Sequence, residues 1–168
     1  LLMDRSIKPG DVIVIGDAVG QVNKIGVRAV SIVTRDGKEH LIPNENLMTQ
    51  EVENWSYSDR NVRVRVKVGV DYGADMTLAQ ELMLKAADES PRVLDSPKPA
   101  VWLTGFGDNA VNFEIRVWVS DPENGLGNMT HDVLSRVWRL FKEQGIEFPY
   151  PQRDIHVRSW PEDTSAKP

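Results

Sequence analysis

The sequence predicts an α+β protein in two domains, a small bent barrel-like β unit followed by a ferredoxin-like βαββαβ α/β unit. Three observations carry this. Short strand-like runs, broken by turn residues at roughly 8–12 residue spacing, fill the first third of the chain. A strictly alternating run then begins, with Val62, Val64, Val66, Val68 and Val70 on one face. Two stretches of helical periodicity follow, interleaved with strand patterns in the order strand, helix, strand, strand, helix, strand.

In the first unit, the turn Lys8-Pro9-Gly10-Asp11 leads into the apolar run Val12-Ile13-Val14-Ile15, and Gly16-Asp17 turns the chain again. A second strand is expected over Ala18–Ile25 and a third over Val27–Thr34, rich in β-branched residues. Arg35-Asp36-Gly37-Lys38 reads as a hairpin, because Asp-Gly accepts the positive φ of a tight primed turn. The return strand Glu39–Ile42 stops at Pro43, which has no N–H to give a ladder. Asn44 is then expected to cap a helical turn through Leu47, and Gln50–Trp55 to resume extended structure. This unit is assigned to residues 1–56.

Tyr57-Ser58-Asp59 marks the boundary to the second unit, residues 57–158. Opposite the valines of its first strand stand Arg63, Arg65 and Lys67. Asp75 to Ser90 is helical, with Met76, Ala79, Met83 and Ala86 on one face. Either a capping box of Thr77 with Gln80 or Asp75 alone starts this helix, and Pro91 ends it. Val101–Phe106 and Val111–Val119 form a hairpin around Gly107-Asp108-Asn109-Ala110. Val111, Phe113, Ile115, Val117 and Val119 face inward, while Asn112, Glu114, Arg116 and Trp118 face outward. A second helix runs from Leu126 to Gln144, burying Val133, Leu134, Val137, Leu140 and Phe141, with Gly145 as its terminator. A last strand is expected over Asp154–Arg158, then a polar tail over 159–168.

Composition narrows the function. The 168 residues carry 20 Lys and Arg against 25 Asp and Glu, a net charge of −5. That balance disfavours a nucleic-acid binder working through bulk charge. Without cysteine there is no disulfide framework, thiolate metal site or cysteine nucleophile. The longest apolar runs, Val12–Ile15 and Ala100–Leu103, fall far short of the roughly 20 residues of a spanning helix. The chain opens on Leu, and an upstream portion is expected before it.

A catalytic set is hard to find. His40, His131 and His156 lack partners at a metal-binding spacing. Gly105-Phe106-Gly107 joins strand to strand, whereas a phosphate cradle needs a helix N-terminus downstream. Asp71 and Asp75 read as a loop end and a helix cap, and Trp118 and Trp138 as packing aromatics. No enzyme activity, metal or cofactor is expected.

The motifs do form a recognisable series. Gly10-Asp11, Val19-Gly20-Gln21-Val22, Asp36-Gly37, Ile42-Pro43-Asn44 with Leu47, and Asn54-Trp55-Ser56 occur in order. Val68-Gly69-Val70 with Tyr72, Phe113-Glu114-Ile115-Arg116-Val117-Trp118, and Gly145-Ile146-Glu147-Phe148-Pro149-Tyr150-Pro151-Gln152 complete it. From Leu1 to about Arg158 the chain resembles the cytosolic region of the small-conductance mechanosensitive channel family.

The resemblance implies an Sm-like middle β domain and an α/β domain that assemble with copies of themselves as a homoheptameric cage beneath the cell's inner (plasma) membrane. Side portals pierce that cage, and inorganic ions and small osmolytes pass through it when the channel relieves osmotic stress. Contact with the membrane would run only through helices upstream of Leu1. Placed on this plan, Arg63, Arg65 and Lys67 are expected to line or flank a portal, with Trp55 and Trp118 at subunit interfaces. Two other readings compete. An Sm-like RNA-binding module is disfavoured by acidity and by the lack of a basic-aromatic cluster visible in the sequence. An acylphosphatase-type enzyme would need an arginine-bearing anion loop where Asp71-Tyr72-Gly73-Ala74-Asp75 stands.

Overall fold

Two separate cores organise the chain in a computed structural model that describes residues 6–159. The first belongs to five antiparallel strands: β1 (Val12–Ile15), β2 (Ala18–Ile25), β3 (Ala29–Thr34), β4 (Glu39–Pro43) and β5 (Val52–Asn54). They lie side by side in the order β4-β3-β2-β1-β5, around Ile13, Ile15, Val22, Val30, Ile32 and Ile42. A register shift between Val22 and Lys24 bends β2, as bulges do. The β3–β4 hairpin turns at Gly37, whose φ of 74° is the left-handed value that Asp-Gly supplies. Buried Asp11 ties the turn before β1 to the end of the neighbouring strand β5. It accepts hydrogen bonds from the Lys8 N–H, the Asn54 amide and the Ser56 hydroxyl.

Asn44 does not do what its sequence position suggests. A short helix α1 (Asn44–Thr49) does start there, but Pro43 is its N-cap and no side chain caps it. The Asn44 amide instead donates to the carbonyls of Gly26 and Val27, and its backbone N–H to Arg28. It holds the turn Gly26–Arg28 against the end of β4. That turn is also why β3 begins at Ala29 and not at Val27.

The second core lies between one face of a three-stranded antiparallel sheet and two helices. Its elements are β6 (Val62–Val70), α2 (Met76–Asp88), β7 (Ala100–Phe106), β8 (Val111–Val119) and α3 (Leu126–Gln144), with sheet order β6-β8-β7. Alternation in β6 and β8 sends Val64, Val66, Phe113, Ile115 and Val117 into the core, where they meet Met83, Val133, Val137 and Phe141. Asp75 caps α2, accepting from the N–H groups of Thr77 and Leu78, while Gln80 reaches across to the Val101 carbonyl. Gly145 ends α3 at φ 71°.

Two expectations fail here. Leu134 is 39% exposed, because the buried stripe of α3 runs through Met129, Val133, Val137, Leu140 and Phe141 and leaves Leu134 at its margin. The strand expected over Asp154–Arg158 is absent: the segment is irregular and exposed. The chain leaves α3 past the end of β6, where the Asp71 N–H meets the Glu147 carbonyl. It then passes the β7–β8 turn, where the Gln152 N–H meets the Asn109 side chain. That path misses the open edge of β6, so Ile155 and Val157 alternate without a ladder to join. Among the described residues this unit is therefore βαββα. The polar tail expected over 159–168 lies, but for Ser159, outside them.

Candidate functional site

The helices cover one face of the three-stranded sheet and leave the other open. Parity decides which side chains stand on the open face, since residues two apart on a strand point the same way. On β6 these are Arg63, Arg65 and Lys67, all exposed. The antiparallel register sets Arg63 opposite Trp118, Arg65 opposite Arg116, and Lys67 opposite Glu114. On the far side of β8, Ala100 pairs with Arg116 and Trp102 with Glu114. One sheet face thus gathers the cations Arg63, Arg65, Lys67 and Arg116 around the carboxylate of Glu114.

The geometry of this cluster is specific. Arg116 Nε donates to Glu114 Oε1 at 2.7 Å, and Arg65 Nε stands 4.0 Å from the same oxygen. The Arg116 guanidinium lies 3.9 Å from the centroid of the Trp102 ring, and that of Arg63 lies 5.9 Å from the Trp118 ring. Both contacts are of cation–π type, which uses the ring faces without neutralising the charges. The hydrogen bond from Arg116 holds the Glu114 carboxyl below the usual glutamate range. Burial opposes this, and the positive charges of Arg116, Arg65 and Lys67 reinforce the lowering. Glu114 is therefore an anion at neutral pH, and the cations around it outnumber it. Such a surface attracts small anions and repels small cations over about a Debye length, ~8 Å at physiological salt.

The sequence-predicted residues separate here. Arg63, Arg65, Lys67 and Trp118 come together on this face. Trp55 does not: it lies at the end of the β unit, its indole N–H donating to the Glu53 carboxylate. Glu114, Arg116 and Trp102 are members that single-strand reading did not assemble. Their signal was the parity of β8 and β7, but the register joining them to β6 is not written in any one strand. Asp59, the neighbouring carboxylate in sequence, accepts from the Asn61 N–H, and the carboxylate closest to Arg65 is Glu114. Trp138 stacks on Phe148 with ring centroids 4.8 Å apart. Asp71 accepts from the Gly73 N–H, as a loop end does. Among the described residues no three His, Asp or Glu side chains converge to hold a metal ion, and no helix is long and apolar enough to cross a membrane.

Comparison with known proteins gives a consistent picture. The family model described as the mechanosensitive ion channel beta-domain matches residues 1–57, and that of the mechanosensitive ion channel MscS C-terminal region matches residues 64–148. The chain is 38% identical over 160 residues to an MscS family protein of Haemophilus influenzae, covering 95% of this chain and 14% of that protein. It is 35% identical over 159 residues to the mechanosensitive channel MscK of Escherichia coli, again covering 95% of this chain and 14% of that protein. A crystal structure of Helicobacter pylori MscS in a closed state superposes with a TM-score of 0.83 at 25% identity, over 95% of this chain and 62% of that one. The chain thus spans only a small part of the first two relatives.

Proposed function

Because this chain belongs to the MscS family of mechanosensitive ion channels, we propose that it is a wall segment of such a channel's cytosolic vestibule. Copies of the chain close into a ring, sevenfold by analogy with the family, below the inner membrane. Ions and small osmolytes reach the pore through openings in its side. The open sheet face carrying Arg63, Arg65, Lys67 and Arg116 lines or flanks such an opening, and Trp118 lies near a subunit contact. Trp55 takes a comparable contact position on the β unit.

One observation carries this reading: four cations to one carboxylate on a single uncovered sheet face, in a chain whose overall charge is negative. Ring symmetry repeats that face once per subunit, so modest charges become a band that biases ion passage. The role needs geometry and charge, not a reacting group. The test is Arg65→Glu in the full-length channel, with the reversal potential read in an asymmetric salt gradient. The expected result is a permeability ratio moved towards cations. An unchanged ratio would leave the basic face as ordinary solvated surface.

A further inference from the structure

The open sheet face holds a feature that a bias on passing ions does not require. Antiparallel register sets Arg65 directly opposite Arg116, and like charges facing each other across a strand pair are destabilising. One carboxylate serves both: Glu114 Oε1 takes Arg116 Nε at 2.7 Å and stands 4.0 Å from Arg65 Nε. Two guanidinium groups thus share a single negative charge.

Arg116 is not a freely moving surface side chain. Only 21% of its side chain is exposed, because the guanidinium is held both by the Glu114 carboxylate and by the Trp102 ring, 3.9 Å from the ring centroid. Those two contacts fix where its N–H groups point. Nε donates to Glu114, while the terminal N–H groups meet no protein acceptor among the described residues. The Glu114 side chain is itself only 9% exposed, so a ligand arriving from solvent meets guanidinium and not carboxylate. Trp102 is 54% exposed: Arg116 covers one side of its ring, and the other stays open. In the row that holds the two arginines, β7 supplies only Ala100, whose methyl group leaves the space above it clear.

We infer that this face binds a nucleoside monophosphate. The phosphate takes the guanidinium groups of Arg65 and Arg116, and the base stacks on the open side of Trp102. Paired guanidinium groups match a phosphate dianion in charge and in the spacing of its oxygens. An aromatic ring offers stacking to any base. Arg116 and Trp102 stand on adjacent strands, about 5 Å apart, and one sugar bridges that separation. Because Glu114 and Trp102 already hold Arg116 in place, little ordering is left for binding to impose. No single strand shows the site, since its three residues come from β6, β8 and β7. It stands on the geometry of this chain and does not rest on the channel assignment.

The test is titration of adenosine monophosphate into the 168-residue chain, followed by calorimetry and by the Trp102 indole N–H resonance. Saturable binding is expected, weakening as salt is raised. Adenosine, which lacks the phosphate, and inorganic phosphate, which lacks the base, should each bind about tenfold more weakly or worse. Trp102→Leu should weaken the nucleotide about tenfold, the loss of one stacked base. Arg65→Gln should weaken the nucleotide and inorganic phosphate alike. The three ligands on the unaltered chain decide the matter even if a variant folds poorly. A nucleotide response that never saturates, or one matched by adenosine or by inorganic phosphate, would overturn the site. A single-stranded RNA that binds where the mononucleotide does not would overturn it too. None of these outcomes touches the portal proposal, which is read from reversal potentials.

Discussion

Asp75 and Asn44 look alike in the sequence, each a short polar residue at the start of a helix, yet they do different work. Asp75 bonds forward to two N–H groups of α2, so Asp75→Ala should cost about 1 kcal/mol in thermal unfolding. Asn44 bonds backward to the turn Gly26–Arg28. Asn44→Ala should therefore speed amide exchange in that turn and leave α1 as helical as before; faster exchange confined to α1 would restore the cap. Sequence could not separate the two, because which backbone an Asn meets depends on a partner 17 or 18 residues away. Charged residues set the acid response. Burial alone would raise the Asp121 carboxyl, but hydrogen bonds from Arg92 and Asn124 outweigh it and hold the group below the usual aspartate value. Glu114 is lowered likewise, chiefly by Arg116. A carboxyl lowered in the folded state stabilises it above the unfolded pKa, and that contribution is lost as pH falls through the folded one. Stability should thus hold above about pH 5 and decline below about pH 4. Asp121→Asn and Glu114→Gln should each flatten that decline in an acid denaturation series. A decline as steep as the parent's in both variants would contradict the assignment.

At the scale of elements, legibility followed how strongly one face had to be buried. The strands β6 and β8 were readable to within a residue, because a one-residue slip would turn every valine outward. The core helices were readable from their spacing, except at the margin of the stripe, where Leu134 sits. The segment Asp154–Arg158 alternates as a strand should, but alternation is only permission: without an edge to pair with, its backbone stays irregular. The open-face cluster was half legible, since Arg63, Arg65 and Lys67 show their parity, whereas Glu114, Arg116 and Trp102 join them only through register. Burial also sets the energetic weight of an element. Phe141 is fully buried among residues of β6, β8 and both helices, so Phe141→Ala should cost about 3–5 kcal/mol in urea unfolding. Ile32→Val, in the other core, should cost about 1 kcal/mol. Because the two cores share no residue, the double variant should equal the sum within about 0.5 kcal/mol. A larger discrepancy would mean that the two cores are energetically coupled.

The whole molecule leaves two kinds of surface uncovered. The β4 and β5 edges of the first sheet are unpaired among the described residues, as is the β6 edge of the second. Unpaired edges invite another chain, and a ring closes them symmetrically. Light scattering on the isolated chain should show a mass that rises with concentration towards a closed ring. A strict monomer up to the solubility limit would contradict self-assembly through these surfaces alone. The open face of the second sheet is the other uncovered surface, and the central claim rests on its charge. The most direct measurement sets Arg65→Glu and Glu114→Gln side by side in the full-length channel and reads both reversal potentials in the same asymmetric salt gradient. The first adds negative charge to the face and the second removes it, so the permeability ratio should shift towards cations in Arg65→Glu and towards anions in Glu114→Gln. Shifts in the same direction, or none in either, would contradict the proposal that this face borders the path of the ions.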